Sequence, residues 1–118
     1  MAQKSILLDK SLLFAARIIK LNNHLIREKH ENIISKQIIR SATSIGANSN
    51  EAIYGQSKAD FIAKLQIALK EANETGYWLE LLYKTNYITE SEYKALDSAC
   101  TSIRVMLISS INTAKERQ

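Results

Sequence analysis

The chain has 118 residues, of which 46% are hydrophobic and 24% charged, which fits one globular domain and excludes a disordered chain. It has no proline, only three glycines and a single cysteine, so it favours long helices and excludes an internal disulfide. The net charge is +4, and residues 1–59 hold nine Lys and Arg against four Asp and Glu, which indicates either an anionic partner or a solvated basic surface. No apolar run is long enough to span a bilayer or to form a secretory signal, so we expect a cytoplasmic protein without membrane contact.

Apolar residues that recur at three-, four- and seven-residue steps predict four helices joined by short links. Ser57 and Thr89 are expected N-caps, and Thr89 opens a full capping box with Glu92. Because short links make long neighbouring helices run antiparallel, the sequence predicts an all-α, up-down-up-down four-helix bundle. The helices predicted in this single domain of residues 1–118 span residues 5–28, 32–54, 58–85 and 90–115.

The first predicted helix carries two apolar stripes, separated by roughly 100–140° around its axis. The stripe assigned to the core consists of Leu8, Leu12, Ala15, Ala16, Ile19 and Ile26. Exposed contiguous apolar surface usually marks an interface, so the second stripe and similar residues of the third helix predict a homo-oligomer. The alternative is a wide core with scattered exposed apolar residues. The residues assigned to the interface are Leu7, Phe14, Ile18, Leu21, Leu25, Ile67, Tyr77, Trp78 and Leu81.

The inner stripes predicted for the other helices include Ile38, Ala42 and Ile45, then Leu65, Ala68 and Leu79, then Leu96, Cys100 and Leu107. Small residues crowd the second helix, where a glycine costs about 1 kcal/mol of helix propensity relative to alanine. Such a glycine indicates close packing of another backbone. The alternative is a ligand-binding notch, but no charged or metal-ligating cluster lies beside it in the sequence. The residues predicted to allow close helix packing are Ser41, Ala42, Ser44, Ile45, Gly46 and Gly76.

Basic residues on the first two helices form a candidate nucleic-acid surface. Four of them lie within about 100° of one another on the first helix, one follows in the turn, and two are one turn apart on the second helix. Such a row could contact phosphates, although most charged faces are simply solvated and no base-reading motif is present. The residues assigned to phosphate contacts are Lys10, Arg17, Lys20, Arg27, Lys29, Lys36 and Arg40.

Patterns typical of catalysis and metal binding are missing from the sequence. His24 and His30 are six residues apart, which places them on opposite sides of a helix without ligand neighbours. Cys100 lies on an apolar face, as expected for a buried, unreactive thiol. The acidic residues of the third helix, such as Glu71 and Glu74, are best interpreted as surface salt-bridge partners. We therefore expect no catalytic residue, no metal and no cofactor.

The segment Arg40-Ser41-Ala42-Thr43-Ser44-Ile45-Gly46-Ala47-Asn48, followed by Glu51-Ala52, resembles the second-helix signature of a bacterial four-helix-bundle family. That family includes proteins encoded in intervening sequences of 23S rRNA genes and accessory variability proteins of diversity-generating retroelements. The match continues through Asp60-Phe61-Ile62, Ile67-Ala68-Leu69-Lys70-Glu71-Ala72 and Tyr77-Trp78-Leu79-Glu80-Leu81-Leu82.

The resemblance implies a barrel-shaped homopentamer with a central opening and no enzymatic activity. In the retroelement branch it implies nucleic-acid binding and contact with a reverse transcriptase. The modest net charge and the Glu-rich third helix favour the intervening-sequence branch. Two hypotheses result: an oligomeric scaffold that binds structured RNA or DNA, or a protein–protein adaptor that does not contact nucleic acid.

Overall fold

Four α-helices make up nearly all of the chain in a computed structural model, which describes residues 2–117 and the side chains of residues 6–117. They are α1 (Ala2–Arg27), α2 (Ile34–Ile53), α3 (Lys58–Lys84) and α4 (Glu90–Glu116). Residues 2–117 contain no β-strand. The predicted helices match these four in order, with ends that differ by a few residues, whereas Met1 and Gln118 of the predicted domain lie outside the described residues.

The helices pack side by side as a bundle that measures 48 × 21 × 21 Å. A helix of 27 residues is about 40 Å long at 1.5 Å per residue, so the long dimension is essentially one helix length. Each helix contacts the next one along the chain, and α1 also contacts α4, which closes the cycle. The packing of α1 on α4 is the least extensive of these contacts. The helices α1 and α3 therefore occupy diagonal corners of the bundle.

The core runs along the bundle axis and consists largely of aliphatic side chains. The predicted inner stripes of α2, α3 and α4 are confirmed, because their central residues are buried: Ile38, Ala42, Ile45, Leu65, Ala68, Leu79, Leu96, Cys100 and Leu107. Thr75 and Ser41 are also buried, and the Thr75 hydroxyl donates a hydrogen bond to the Ser41 hydroxyl within this apolar interior. Burial of the aliphatic side chains contributes about 1.5–3 kcal/mol each, before the loss of conformational entropy.

The two predicted stripes of α1 are exchanged in the structure. The residues assigned to an oligomer interface are 0–3% exposed within the single chain: Leu7, Phe14, Ile18 and Leu25. The assignment of these four side chains to a contact with another subunit is therefore wrong, because they already form the core. Leu21 is partly buried against that core. Conversely, Leu12 of the predicted core stripe is 74% exposed, and Ile19 and Ile26 are also exposed.

The close contact between α1 and α2 explains which stripe of α1 faces inward. Ser11 of α1 is fully buried, and its Cβ would lie 3.4 Å from a Cβ built on Gly46 of α2. Two small residues thus meet at the point where the helices approach each other. Once Ser11 faces α2, the neighbouring stripe that contains Phe14 and Ile18 turns into the bundle, and the stripe of Leu12 turns out.

Side chains set the starts of α2, α3 and α4. The predicted caps are confirmed: Ser57 Oγ accepts from the Asp60 backbone N–H at 3.0 Å, and Thr89 and Glu92 form a reciprocal capping box. The start of α2 uses a device that the sequence did not reveal. Glu31, buried in the preceding turn, accepts hydrogen bonds from the backbone N–H groups of Ile33, Ile34 and Ser35 at 2.8–3.0 Å. These bonds satisfy donors that a helix start leaves without partners.

Candidate nucleic-acid interface

The basic residues predicted on α1 share its solvent-facing side. Lys10, Arg17, Lys20 and Arg27 are all exposed, whereas the core stripe of the same helix is buried. Lys29, in the turn after α1, is exposed as well. Within residues 6–117, no carboxylate lies at ion-pair distance from any of these five cations. Their positive charge is consequently available to an external anion.

The middle of this face opens into a groove between α1 and α4, which exists because these two helices pack least extensively. The cavity has a volume of about 480 Å³. Arg17, Lys20 and His24 line it from α1, while Ser91 and Glu92 line it from the start of α4. The Glu92 carboxylate is engaged in the capping box of α4. Sequence reasoning placed the basic surface on α1 and α2 and missed this contribution of α4, because helix neighbours across the bundle leave no local sequence signal.

The two basic residues of α2 that were assigned to phosphate contacts differ in whether a carboxylate balances their charge. Lys36 is exposed. Arg40 instead donates to Glu71 Oε1 of α3 at 3.2 Å and also forms an ion pair with Glu74. The hydrogen bonds with Glu71 and Glu74 raise the pKa of the Arg40 guanidinium. The structure therefore separates Arg40 from the α1 cations, since two carboxylates already balance its charge.

The acidic residues of α3 belong to a network that joins α3 to α2. Glu74 accepts from the indole Nε1 of Trp78 at 3.1 Å in addition to its pair with Arg40. The interpretation of Glu71 and Glu74 as salt-bridge partners is confirmed, and their partner is Arg40 of α2. One oxygen of Glu71, Oε2, is buried and has no hydrogen-bond partner. Removal of Arg40 would leave that carboxylate without its compensating charge.

The small residues of α2 that were predicted to allow close packing lie mostly in the interior of the bundle. Ala42 and Ile45 are fully buried, and Ser41 Oγ accepts a hydrogen bond from Thr75 Oγ1 of α3 at 2.8 Å. Ser44 is half-buried, and its hydroxyl donates to the backbone carbonyl oxygen of Arg40 in the same helix.

The two helical glycines have different surroundings. Gly46 lies against α1, where a Cβ built on it would lie 3.4 Å from the Ser11 Cβ. The prediction of close packing at Gly76 is wrong: a Cβ added there would meet no other atom within 4 Å.

The residues of α3 assigned to an oligomer interface differ in their exposure. Tyr77 is 58% exposed and Ile67 is also exposed, whereas Leu81 is half-buried and Trp78 is half-buried and packs against the core. The Tyr77 and Trp78 rings meet edge to face, with centroids 4.9 Å apart. The outer side of α3 thus carries an apolar surface that the single chain leaves partly open to solvent.

Groups suited to catalysis or metal binding are scattered in the structure. His24 and His30 are exposed, and no group of three or more His, Cys, Asp or Glu side chains within residues 6–117 is placed to hold a metal ion. Cys100 is buried, and its Sγ donates to the Ala72 carbonyl oxygen at 3.3 Å. Burial raises the pKa of this thiol to about 11, so it stays protonated and unreactive near neutral pH. Among the described helices, none has the length and apolar character that crossing a membrane requires.

Comparison with known proteins identifies the family of this bundle. A solved structure from Bacteroides thetaiotaomicron VPI-5482, described as a protein with unknown function from the S23 ribosomal protein family, is 55% identical and superimposes with a TM-score of 0.92. That likeness covers 93% of this chain and 98% of the other. None of the curated proteins matches the chain. The family model described as 23S rRNA-intervening sequence protein matches residues 3–109, and the chain therefore belongs to the 23S rRNA-intervening sequence protein family.

Proposed function

We propose that this protein is a non-enzymatic, oligomeric scaffold that binds the phosphate backbone of structured RNA or DNA. The observation that carries the proposal is the exposed row of Lys10, Arg17, Lys20 and Arg27 on α1, without carboxylate partners among the side chains of residues 6–117. Cations that are not neutralised within a protein can displace the counterions of a nucleic acid, which is the main source of phosphate-backbone affinity. The cytoplasmic location stays a prediction.

We place the strongest phosphate contacts in the groove between α1 and α4. Arg17, Lys20 and His24 converge there on one volume of about 480 Å³, so a phosphate inside it would contact more than one cation. Lys36 adds an exposed cation on α2. Arg40, which belonged to the surface predicted from the sequence, is left out of the proposed site because its charge is balanced by Glu71 and Glu74.

The exposed apolar residues of α1 and α3 support an oligomeric state. Leu12, Ile19 and Ile26 repeat every seven residues along α1 and are all exposed, while Ile67 and Tyr77 are exposed on α3. Apolar surface arranged in a continuous stripe is typical of an interface. The family resemblance indicates five copies, and a pentamer would strengthen a weak phosphate site through avidity. Native mass measurement tests the assembly, and a stable monomer at micromolar concentration would contradict it.

We include antiparallel packing of neighbouring helices in the proposal. Two observations support it: the connections between the long helices are short, and one cavity is lined by the start of α1, the end of α2, the start of α3 and the end of α4. Leu7, Ala52, Phe61 and Ala114 represent these four segments in the lining. Distances between spin labels at the two ends of adjacent helices would test the arrangement.

Filter binding to a structured RNA hairpin tests the nucleic-acid proposal directly. Affinity should fall steeply with salt, and the double variant Arg17→Gln/Lys20→Gln should reduce the slope of log K against log salt by about 1 for each phosphate that the variant no longer neutralises. Arg40→Gln is the matched control, because it removes a cation that is already paired, and it should leave the slope unchanged. Binding that does not depend on salt, or a larger effect of Arg40→Gln than of the double variant, would reject the proposed surface.

A second candidate function is a protein–protein adaptor without nucleic-acid contact. The observation that favours it is apolar surface on α4, where Val105 and Ile108 are exposed away from the α1 and α3 stripes. Such residues would suit a partner protein. A partner that co-purifies after nuclease treatment, but no longer does so with the Val105→Glu variant, would favour the adaptor over the nucleic-acid scaffold.

A further inference from the structure

A cavity at one end of the bundle lies away from the basic groove and has a different chemical character. Its volume is about 420 Å³, within the range of about 300–1,000 Å³ that is usual for small-molecule sites. All four helices contribute to it, and much of its wall is apolar. The apolar lining residues are Leu7, Ala52, Ile53, Phe61, Leu65 and Ala114. Leu7, Ala52 and Leu65 are core residues, so the cavity reaches the end of the hydrophobic core.

The charged residues in the lining of this cavity are both positive. Lys58, at the start of α3, and Arg117, after the end of α4, are exposed at its rim. The Lys58 Nζ donates to the Arg117 backbone carbonyl at 2.7 Å, which holds the two residues side by side. Ser110 and Thr113 add hydroxyls to the lining, and Gly55, which also lines the cavity, lies against the carboxylate of Asp60, a residue that is not part of the lining. An apolar interior under a cationic rim fits a molecule with an apolar tail and an anionic head.

We infer that this cavity binds a small organic carboxylate with an alkyl tail, the tail between Phe61, Leu65 and Ala114 and the carboxylate beside Lys58 and Arg117. The site is independent of the proposed nucleic-acid surface, because none of its lining residues belongs to the α1 row of cations. Apolar contact supplies most of the affinity, since each buried CH₂ contributes about 0.8 kcal/mol, and the two cations select the charged head group.

Titrations of ¹⁵N-labelled protein with hexanoate, octanoate and 1-octanol test the site at constant ionic strength. Octanoate should bind about fifteenfold more tightly than hexanoate, because two further CH₂ groups are buried. It should also bind about fivefold more tightly than 1-octanol, which has the same tail without a charge. The largest shifts should occur at the amides of Ser110, Thr113 and Ala114. No binding, or equal affinities for the two acids, would overturn the assignment.

Variants separate the tail site from the head-group site. Lys58→Gln/Arg117→Gln should lower octanoate affinity about fivefold while leaving 1-octanol affinity unchanged. Lys115→Gln, which removes an exposed cation at the same end of α4 but outside the cavity lining, is the matched control and should have no effect. Ala114→Phe places a ring in the cavity and should abolish binding of both ligands, with helix content checked by circular dichroism. Equal octanoate binding by the Lys58→Gln/Arg117→Gln variant and the wild type would refute the role of the rim cations.

Discussion

Replacement of Gly76 by alanine should raise the free energy of unfolding by about 1 kcal/mol. Gly76 lies inside α3, where glycine is less favourable than alanine by about that amount because it loses more backbone entropy on folding. The added methyl group would meet no atom within 4 Å, so no packing cost offsets the gain. With an unfolding entropy of about 2.1 cal/mol/K per residue, 118 residues give about 0.25 kcal/mol/K, and the melting temperature should rise by about 4 °C.

The other two glycines of the chain are matched controls for this reasoning. At Gly46 the same helix-propensity gain is opposed by a Cβ contact of 3.4 Å with Ser11, so Gly46→Ala should change stability by less than Gly76→Ala. At Gly55 a Cβ would meet the Asp60 carboxylate and lie 3.1 Å from the Ala52 carbonyl oxygen. Gly55→Ala should therefore destabilise the protein by about 1 kcal/mol through overpacking.

Urea unfolding followed by circular dichroism would rank the three variants. All should be measured at one protein concentration, since the proposed oligomer would make the apparent stability depend on concentration. A change of midpoint with an unchanged m-value would show that only stability has changed. The reasoning is refuted if Gly76→Ala unfolds at lower urea than the wild type, or if Gly46→Ala is the most stable of the three.

Three further predictions concern buried polar groups. Glu31→Gln should lower the free energy of unfolding by about 1 kcal/mol at pH 7. Burial alone raises the pKa of the Glu31 carboxyl, but hydrogen bonds from the backbone amides of Ile34, Ser35 and Ile33 outweigh burial and lower the pKa below 4.5. A carboxyl whose pKa is lower in the folded state stabilises the fold at pH values above its unfolded pKa. In urea unfolding at several pH values, the difference in free energy of unfolding between variant and wild type should therefore shrink as the pH falls below 4.5. A difference that does not change with pH would contradict the cap. Cys100, with its pKa raised to about 11 by burial, should react with a thiol reagent at pH 8 only as the protein unfolds; rapid labelling of the native protein would contradict its burial. Thr75→Val removes the donor to Ser41 and should lower the free energy of unfolding by about 1 kcal/mol. The double variant Ser41→Ala/Thr75→Val should lose less than the sum of the two single variants, and full additivity in thermal unfolding would show that the two hydroxyls do not interact.

Local features of the fold could be predicted from the sequence because their partners are close in the chain. Thr89 and Glu92 form their capping box across three residues, and Ser57 caps α3 over the same distance. The inner stripe of α2 was also predictable, since Ile38, Ala42 and Ile45 face a single direction and the opposite face is polar. In such helices the periodicity of apolar residues points to only one buried side.

The buried side of α1 could not be chosen from periodicity, because this helix has two apolar stripes of similar quality. Phe14 belongs to one and Leu12 to the other, and the packing of α1 on α2, where Ser11 faces Gly46, buries the stripe of Phe14. The same limit applies to Arg40, whose partner Glu71 is 31 residues away in the chain. Its charge counted toward a basic surface in the sequence, but it is balanced once α2 and α3 pack together.

The turn between α1 and α2 has a consequence for how these two helices move. His30 has a left-handed backbone (φ 56°), and the Glu31 amide donates back to the Leu25 carbonyl oxygen at 2.9 Å. Glu31 therefore binds the end of α1 through its backbone N–H and caps the start of α2 through its carboxylate. Because one residue holds both ends, an inserted or deleted residue would break two sets of bonds together. The turn is thus a rigid corner of fixed length, and a tilt of α2 would carry the end of α1 with it.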